Sequence, residues 1–167
     1  MFYDESSNTN NGELMYLSNE DQNYLNQTLE IAKKSIRNGN HPFGALLVHK
    51  GVVICTSEND VVMSRDITAH AELLLIKKAQ KLLTSIQLKD SILYTSTEPC
   101  PMCTGAIYWC DIKKVVYATK ASRLLEIAGD GFSLSAPDLI RFAPRDINFI
   151  AAENTVQFDQ LHIEFWR

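Results

Sequence analysis

The chain has 167 residues, 46% of them apolar, and a formal net charge of −4, which is the size of one ordinary domain with enough apolar material to bury a core. Mild acidity disfavours a dedicated nucleic-acid binder, because phosphate contacts need clustered Lys and Arg. No apolar run approaches the roughly 20 residues of a membrane span, and the polar start, Met1 to Asn10, has neither the basic opening nor the apolar stretch of a secretory signal.

Asp4 to Glu13 is rich in Asn, Ser, Thr and Glu and offers almost nothing to bury. Residues 1–17 are therefore expected to form a flexible N-terminal arm, and residues 18–167 a single domain. Ser18 and Asp21 open a first helix, Leu25, Leu29, Ala32 and Ile36 recur at helical spacing, and Asn38-Gly39 supplies a stop. Gly44 to His49 and Val52 to Ser57 read as strands joined at Lys50-Gly51. Thr68 to Leu83 reads as a helix with Leu73, Ile76, Ala79 and Leu83 as its stripe. Ser91 to Ser96 reads as a strand, Pro101 to Cys110 as a short helix opened by Pro, and Lys114 to Thr119 as another strand. Ala121 to Arg145 has no clear period and receives no assignment. Asp146 to Ala151 suits a strand, and Asn154 or Thr155 suits the cap of a final helix carrying Leu161 and Phe165. Strands alternating with helices predict a layered α/β domain.

Of the four cysteines, Cys55 and Cys110 are singletons in apolar surroundings, while Cys100 and Cys103 form a C-x-x-C. A reducing, cytoplasmic setting is expected, where C-x-x-C signals metal or redox chemistry more often than a structural disulfide. The informative feature is a conjunction. His70-Ala71-Glu72 opens one predicted helix, and Pro99-Cys100-Pro101-Met102-Cys103 opens another, 30 residues from His70 to Cys100. An imidazole and two thiolates make three ligands for Zn²⁺, leaving a fourth position for water, as a catalytic site requires. Cys100 and Cys103, on one helical turn, face the same way, and a helix N-terminus favours the thiolate. His70 and Glu72 would diverge by roughly 200° on a regular helix. If both address one metal, the segment must enter its helix with non-helical dihedrals.

Charge balance gives Glu72 its expected role. Two thiolates offset the dication, so zinc acidifies its water less than an all-imidazole site does, and a general base is needed. Glu72 can take the water proton, deliver it to a ring nitrogen and later protonate the leaving ammonia, provided it stays near the metal without ligating it. Taken singly, each feature has a plainer reading. A C-x-x-C can be a redox pair or half a zinc knuckle, a buried His is usually structural, and a first-turn Glu is a favourable helix charge. The conjunction is what favours catalytic zinc.

These residues match the H-x-E…P-C-x-x-C pattern, and the chain resembles the cytidine-deaminase-like superfamily of zinc nucleobase and nucleoside deaminases. Within it, Pro42-Phe43-Gly44-Ala45, Asn59, Thr68-Ala69-His70-Ala71-Glu72 and the tract Glu98 to Trp109 resemble bacterial guanine deaminases, over about Asn38 to Thr119. The resemblance implies a three-layer α/β/α fold with a mixed sheet of about five strands. It implies hydrolytic deamination of a nucleobase or nucleoside, with a guanine-like purine favoured, and a homodimer. It also implies substrate contacts: Asn59 to the base edge, the Ala71 backbone N–H to a substrate carbonyl, and Phe43 and Trp109 lining the pocket. Guanine deaminases carry an acidic pair after the last shared strand. Here that stretch reads Ile127-Ala128-Gly129-Asp130-Gly131-Phe132, with Asp130 the one candidate carboxylate nearby.

Two other functions compete. A tRNA adenosine deaminase shares the zinc chemistry, but Ala121 to Arg167 holds four Arg and no Lys against seven Asp or Glu, an acidic lid unsuited to a phosphate-rich substrate. A catalytically silent zinc scaffold has no evident need for Glu72. His41, His49 and His162 have no partner pattern and read as structural; the terminal pair Phe165-Trp166 could cap a pocket, though such a pair more often packs against its own domain.

Overall fold

The computed structural model describes residues 17–167, so all of the expected N-terminal arm but Leu17 lies outside the described residues. Helix α1 (Asn19–Arg37) opens at Ser18, whose hydroxyl accepts from the Asp21 N–H. Strands β1 (Gly44–His49) and β2 (Val52–Glu58) follow. Lys50 and Gly51 between them both adopt positive φ, 49° and 74°, as a two-residue hairpin turn whose twist matches its strands requires. Then come α2 (Val61–Ser64), α3 (Ala71–Leu82), α4 (Ser85–Lys89), β3 (Ser91–Thr97), α5 (Pro101–Trp109) and β4 (Lys114–Thr119). The remainder is α6 (Ala121–Ala128), α7 (Ala136–Ile140), β5 (Asn148–Ala151) and α8 (Val156–Trp166).

The five strands form one mixed sheet in the order β2-β1-β3-β4-β5. β1 is antiparallel to β2 and β3, while β3, β4 and β5 run parallel. Alternation along β1 splits the core. Ala45 and Leu47 join Leu93 and Val115 beneath α3 and α5, and Leu46 and Val48 join Tyr94 and Val116 beneath α1 and α8. Both faces of the sheet are covered, which gives the three-layer α/β/α arrangement and explains why every residue of β1 is buried. Gly44 marks the closest approach of α1 to the sheet: a Cβ there would lie 2.6 Å from the Ala32 nitrogen and the Thr28 oxygen. No helix among the described residues is long and apolar enough to cross a membrane.

One expectation is corrected, and one unassigned segment gains its structure. The helix expected over Thr68 to Leu83 begins only at Ala71, and its buried face runs through Leu75, Ile76 and Ala79, with Leu73 half-buried. The unassigned segment carries α6 and α7, too short for a helical period to show.

Tyr94, on β3, ties the start of α1 to the sheet. Its ring is 1% exposed and packs 5.2 Å from Tyr24, and its hydroxyl donates to Asp21 Oδ1 at 2.6 Å. Burial acts to raise the Asp21 carboxyl, but hydrogen bonds from Tyr94 and Ser18, with Lys114 nearby, hold it below the usual carboxylate range. Tyr94→Phe removes a bond to a charged acceptor and is expected to cost about 1.5–3 kcal/mol. That corresponds to a Tm fall of roughly 5 °C for a domain of this size, and a thermal melt checks it.

Candidate active site

The donor residues sit where two helices begin. His70 is the N-cap of α3 with extended dihedrals, φ −69° and ψ 149°. This break in helical geometry lets a residue two positions before Glu72 face the same point. Cys100 is likewise the extended N-cap of α5, with Pro101 fixing the first helical position and Cys103 one turn in. Because β2 and β3 both run antiparallel to β1 between them, their C-terminal ends share one edge of the sheet, and the helix N-termini that follow, of α3 and α5, converge there.

The sulfurs of Cys100 and Cys103 lie 3.7 and 3.6 Å from His70 Nδ1, and the three donor atoms fall within 4.8 Å of one another. Tetrahedral zinc with sulfur at about 2.3 Å and nitrogen at about 2.0 Å spaces such ligands about 3.6 Å apart. The donor set therefore fits a four-coordinate ion with one position left over. Glu72, 5% exposed, is held beside this group without belonging to it. Thr95 Oγ1 donates to Glu72 Oε1 at 2.7 Å, and Glu72 Oε2 lies 3.6 Å from Cys103 Sγ.

The electrostatics follow from that crowding. The hydrogen bond from Cys103, helped by His70, brings the Cys100 thiol down to about 4, so Cys100 ionises first. The same bond and burial push Cys103 up. The Cys100 contact raises His70 against its desolvation. Glu72 is raised chiefly by burial, with the Thr95 bond opposing.

A cavity of 430 Å³ opens over these groups, within the range of small-molecule sites. Its floor includes His70, Ala71, Glu72, Cys100 and Asn59, and Phe43 stands at its side. The Ala71 N–H is one of the first helical donors, which have no partner within the helix. Asn59 is 1% exposed. Its Oδ1 accepts from the Val61 N–H at 3.1 Å, and its amide N–H groups have no partner among the described residues. Asp130 lies on the exposed rim with Gly131 and Phe132.

Trp109 is not brought to the cavity. It ends α5, about 13 Å of helix from Cys100, and is 80% exposed, with Tyr108 beside it. Phe165 and Trp166 pack on the His41 ring. Sequence reasoning missed Thr95, which holds Glu72, and the wall supplied by Leu124, Leu125 and Leu134. Thr95 had a signal, since a polar residue in the middle of a buried strand needs a partner.

A sheet that delivers His-Cys-Cys and a non-ligating glutamate to the floor of a cavity defines a hydrolytic metalloenzyme. Residues 18–119 match the cytidine and deoxycytidylate deaminase zinc-binding region, and the chain belongs to that family. It is similar to the guanine deaminase of Bacillus subtilis, 41% identical over 84% of this chain and 85% of that one. It is also similar to that organism's tRNA-specific adenosine deaminase, 38% identical over 59% of this chain and 61% of that one. The solved guanine deaminase from Nitrosomonas europaea superposes with a TM-score of 0.77 at 25% identity, covering 90% of this chain and 86% of that one. The protein is thus a hydrolytic deaminase with a mixed-sheet α/β fold.

Proposed function

We propose that a single deaminase domain from Ser18 onward converts an amino-substituted free base or nucleoside, a guanine-like purine first, to its oxo form and ammonia. The observation that carries this reading is the buried Glu72 carboxylate, 3.6 Å from Cys103 Sγ, at the floor of a cavity of small-molecule size. His70, Cys100 and Cys103 would hold zinc, which when bound would supply Lewis acidity that lowers the pKa of a water, leaving Glu72 to complete its deprotonation. Asn59 presents its amide N–H donors, and Ala71 its backbone N–H, to acceptors on the ring. Phe43 offers a face to the base, and Asp130 a carboxylate to its N–H edge. Glu72 takes one proton from water and passes it to the ring nitrogen beside the carbon under attack. It then takes the remaining hydroxyl proton from the attacked carbon's oxygen and gives it to the departing amine, so that water and the aminated ring become the oxo ring and ammonia.

Burial suits Glu72 to this exchange, because a raised pKa brings its protonated and ionised forms closer together in energy near neutrality. The reading includes a cytoplasmic role in purine metabolism and a homodimer. Met102 and Trp109 on α5, with Phe142, offer exposed apolar surface for a second copy.

The test is ammonia release by the zinc-loaded protein from guanine, cytosine, adenine, their nucleosides and a tRNA anticodon stem. Release from a free base or nucleoside is expected, with guanine leading. Activity on the RNA alone would transfer the site to the tRNA-editing reading that the Bacillus relative suggests. No release from any of them would leave a zinc-stabilised scaffold.

A further inference from the structure

We propose that Glu98 is a positioning residue, one carboxylate that clamps both ends of the segment walling the cavity and so sets where that wall meets the substrate. The proposal rests on the deaminase reading only for what the wall touches, not for the clamp itself.

Glu98 follows the last residue of β3 and is 7% exposed. Its own N–H donates to the Thr119 oxygen at 2.8 Å, fixing it to the end of β4. Its two carboxylate oxygens then go separate ways. Oε2 accepts from the Ala121 N–H at 2.8 Å, and Oε1 accepts from the Ala136 N–H at 2.8 Å. Ala121 opens α6, whose N-cap Lys120 makes no side-chain capping bond. Ala136 opens α7, where Ser135 caps Asp138 instead. Each helix start thus has an orphan donor, and one buried carboxylate satisfies both.

What lies between the two anchors is the wall. Leu124, Leu125, Asp130, Phe132 and Leu134 all line the cavity, and Asp130 to Ser135 has no regular secondary structure. No sheet ladder holds this stretch. α6 packs on α8 and α7 on α5, so its ends are carried by different neighbours. Glu98 joins those ends to each other, two residues before Cys100, and so refers the wall to the donor group. Only a carboxylate suits the place. The amide of Gln has one acceptor oxygen, and its NH₂ would face an N–H donor.

The experiment compares the zinc-loaded full chain with Glu98→Gln and Glu98→Ala by hydrogen exchange, zinc content and steady-state kinetics. Exchange across residues 121–136 is expected to rise about tenfold or more in Glu98→Gln, the loss of one buried bond to a charged acceptor. α3 and α5 should keep their protection and zinc content should be unchanged. KM should rise about tenfold with kcat nearly kept, as uniform binding loss requires.

Wild-type protection of 121–136 in the Gln variant would overturn the clamp. An equal rise in α3 and α5 would also overturn it, making Glu98 a general stabiliser. A fall in kcat at constant KM would remove the positioning role. If the Ala variant fails to fold, the near-isosteric Gln variant decides. Absence of turnover by the wild type would sink the deaminase reading alone, while the exchange data would still judge the clamp.

Discussion

Glu72→Gln is expected to lower turnover by about a thousandfold or more, within the range of general acid–base catalysis when both proton transfers use one group, while leaving zinc content and fold intact. Gln keeps the volume of the side chain and an oxygen that can accept from Thr95 Oγ1, as the carboxylate does at 2.7 Å. It removes the ability to take a proton from water and deliver it to the ring or the amine. The substitution also relieves a cost. Burial raises the Glu72 pKa, so the ionised carboxylate is less stable here than in water. Thermal stability is therefore expected to hold or rise while activity collapses, the opposing signs of a site kept for chemistry. Metal analysis, a thermal melt and ammonia release on the same preparations give all three readouts. Retention of more than about a tenth of the activity would remove Glu72 from the proton-transfer role. A joint loss of zinc and stability would make it a structural partner of the donor group.

Much of the architecture was legible in the chain because its signals are local. β1 and β4 fall on their expected bounds, Gly44–His49 and Lys114–Thr119, since each is an apolar run between turn residues. The donor group was legible because its chemistry dictates spacing: two thiolates on one turn, and a histidine that must leave helical geometry, as His70 does at ψ 149°. The wall was not legible. α6 and α7 span eight and five residues and are held by a carboxylate accepting from two backbone N–H groups, which leave no mark on the sequence. Trp109 shows the complementary limit. Its tract resembles that of the related deaminases, but only the helix geometry shows that it stands at the far end from the thiols, on the surface. Even within the wall one signal was readable. Ser135, with Pro137 and Asp138 after it, is a helix-opening pattern, and Ser135 does cap Asp138.

His162 is expected to make the protein lose stability as pH falls from about 6.5 to about 4. The side chain is 1% exposed, and burial brings its pKa down to about 4, against a small opposing pull from Asp159. The sign follows from proton uptake. Below about 6.5 the unfolded chain binds a proton at this residue that the folded chain refuses until about 4. Across that window stability falls by about 1.4 kcal/mol per pH unit, roughly 3 kcal/mol in all; above it His162 contributes no slope, and below about 4 the loss is complete.

Its bonds explain the refusal. Trp166 Nε1–H, a donor only, gives to His162 Nδ1 at 3.3 Å, so the ring proton sits on Nε2 and is donated to Thr97 Oγ1 at 2.8 Å. A second proton would have to displace the indole. Other groups titrate nearby: His41 is also lowered by burial, His70 is shifted the other way by Cys100, and the lowered Asp21 acts below the window. The measurement is therefore a difference, urea stability against pH for wild type minus His162→Gln. A slope of about one proton between pH 6.5 and 4 in that difference is expected, and a flat difference would show that His162 titrates normally. Because Thr97 lines the cavity and His162 lies on α8, the same protonation would loosen the last helix from the strand end that leads into the Glu98 clamp. Because the folded ring stays neutral down to about 4, that loosening should set in only as the pH nears 4, after most of the stability loss.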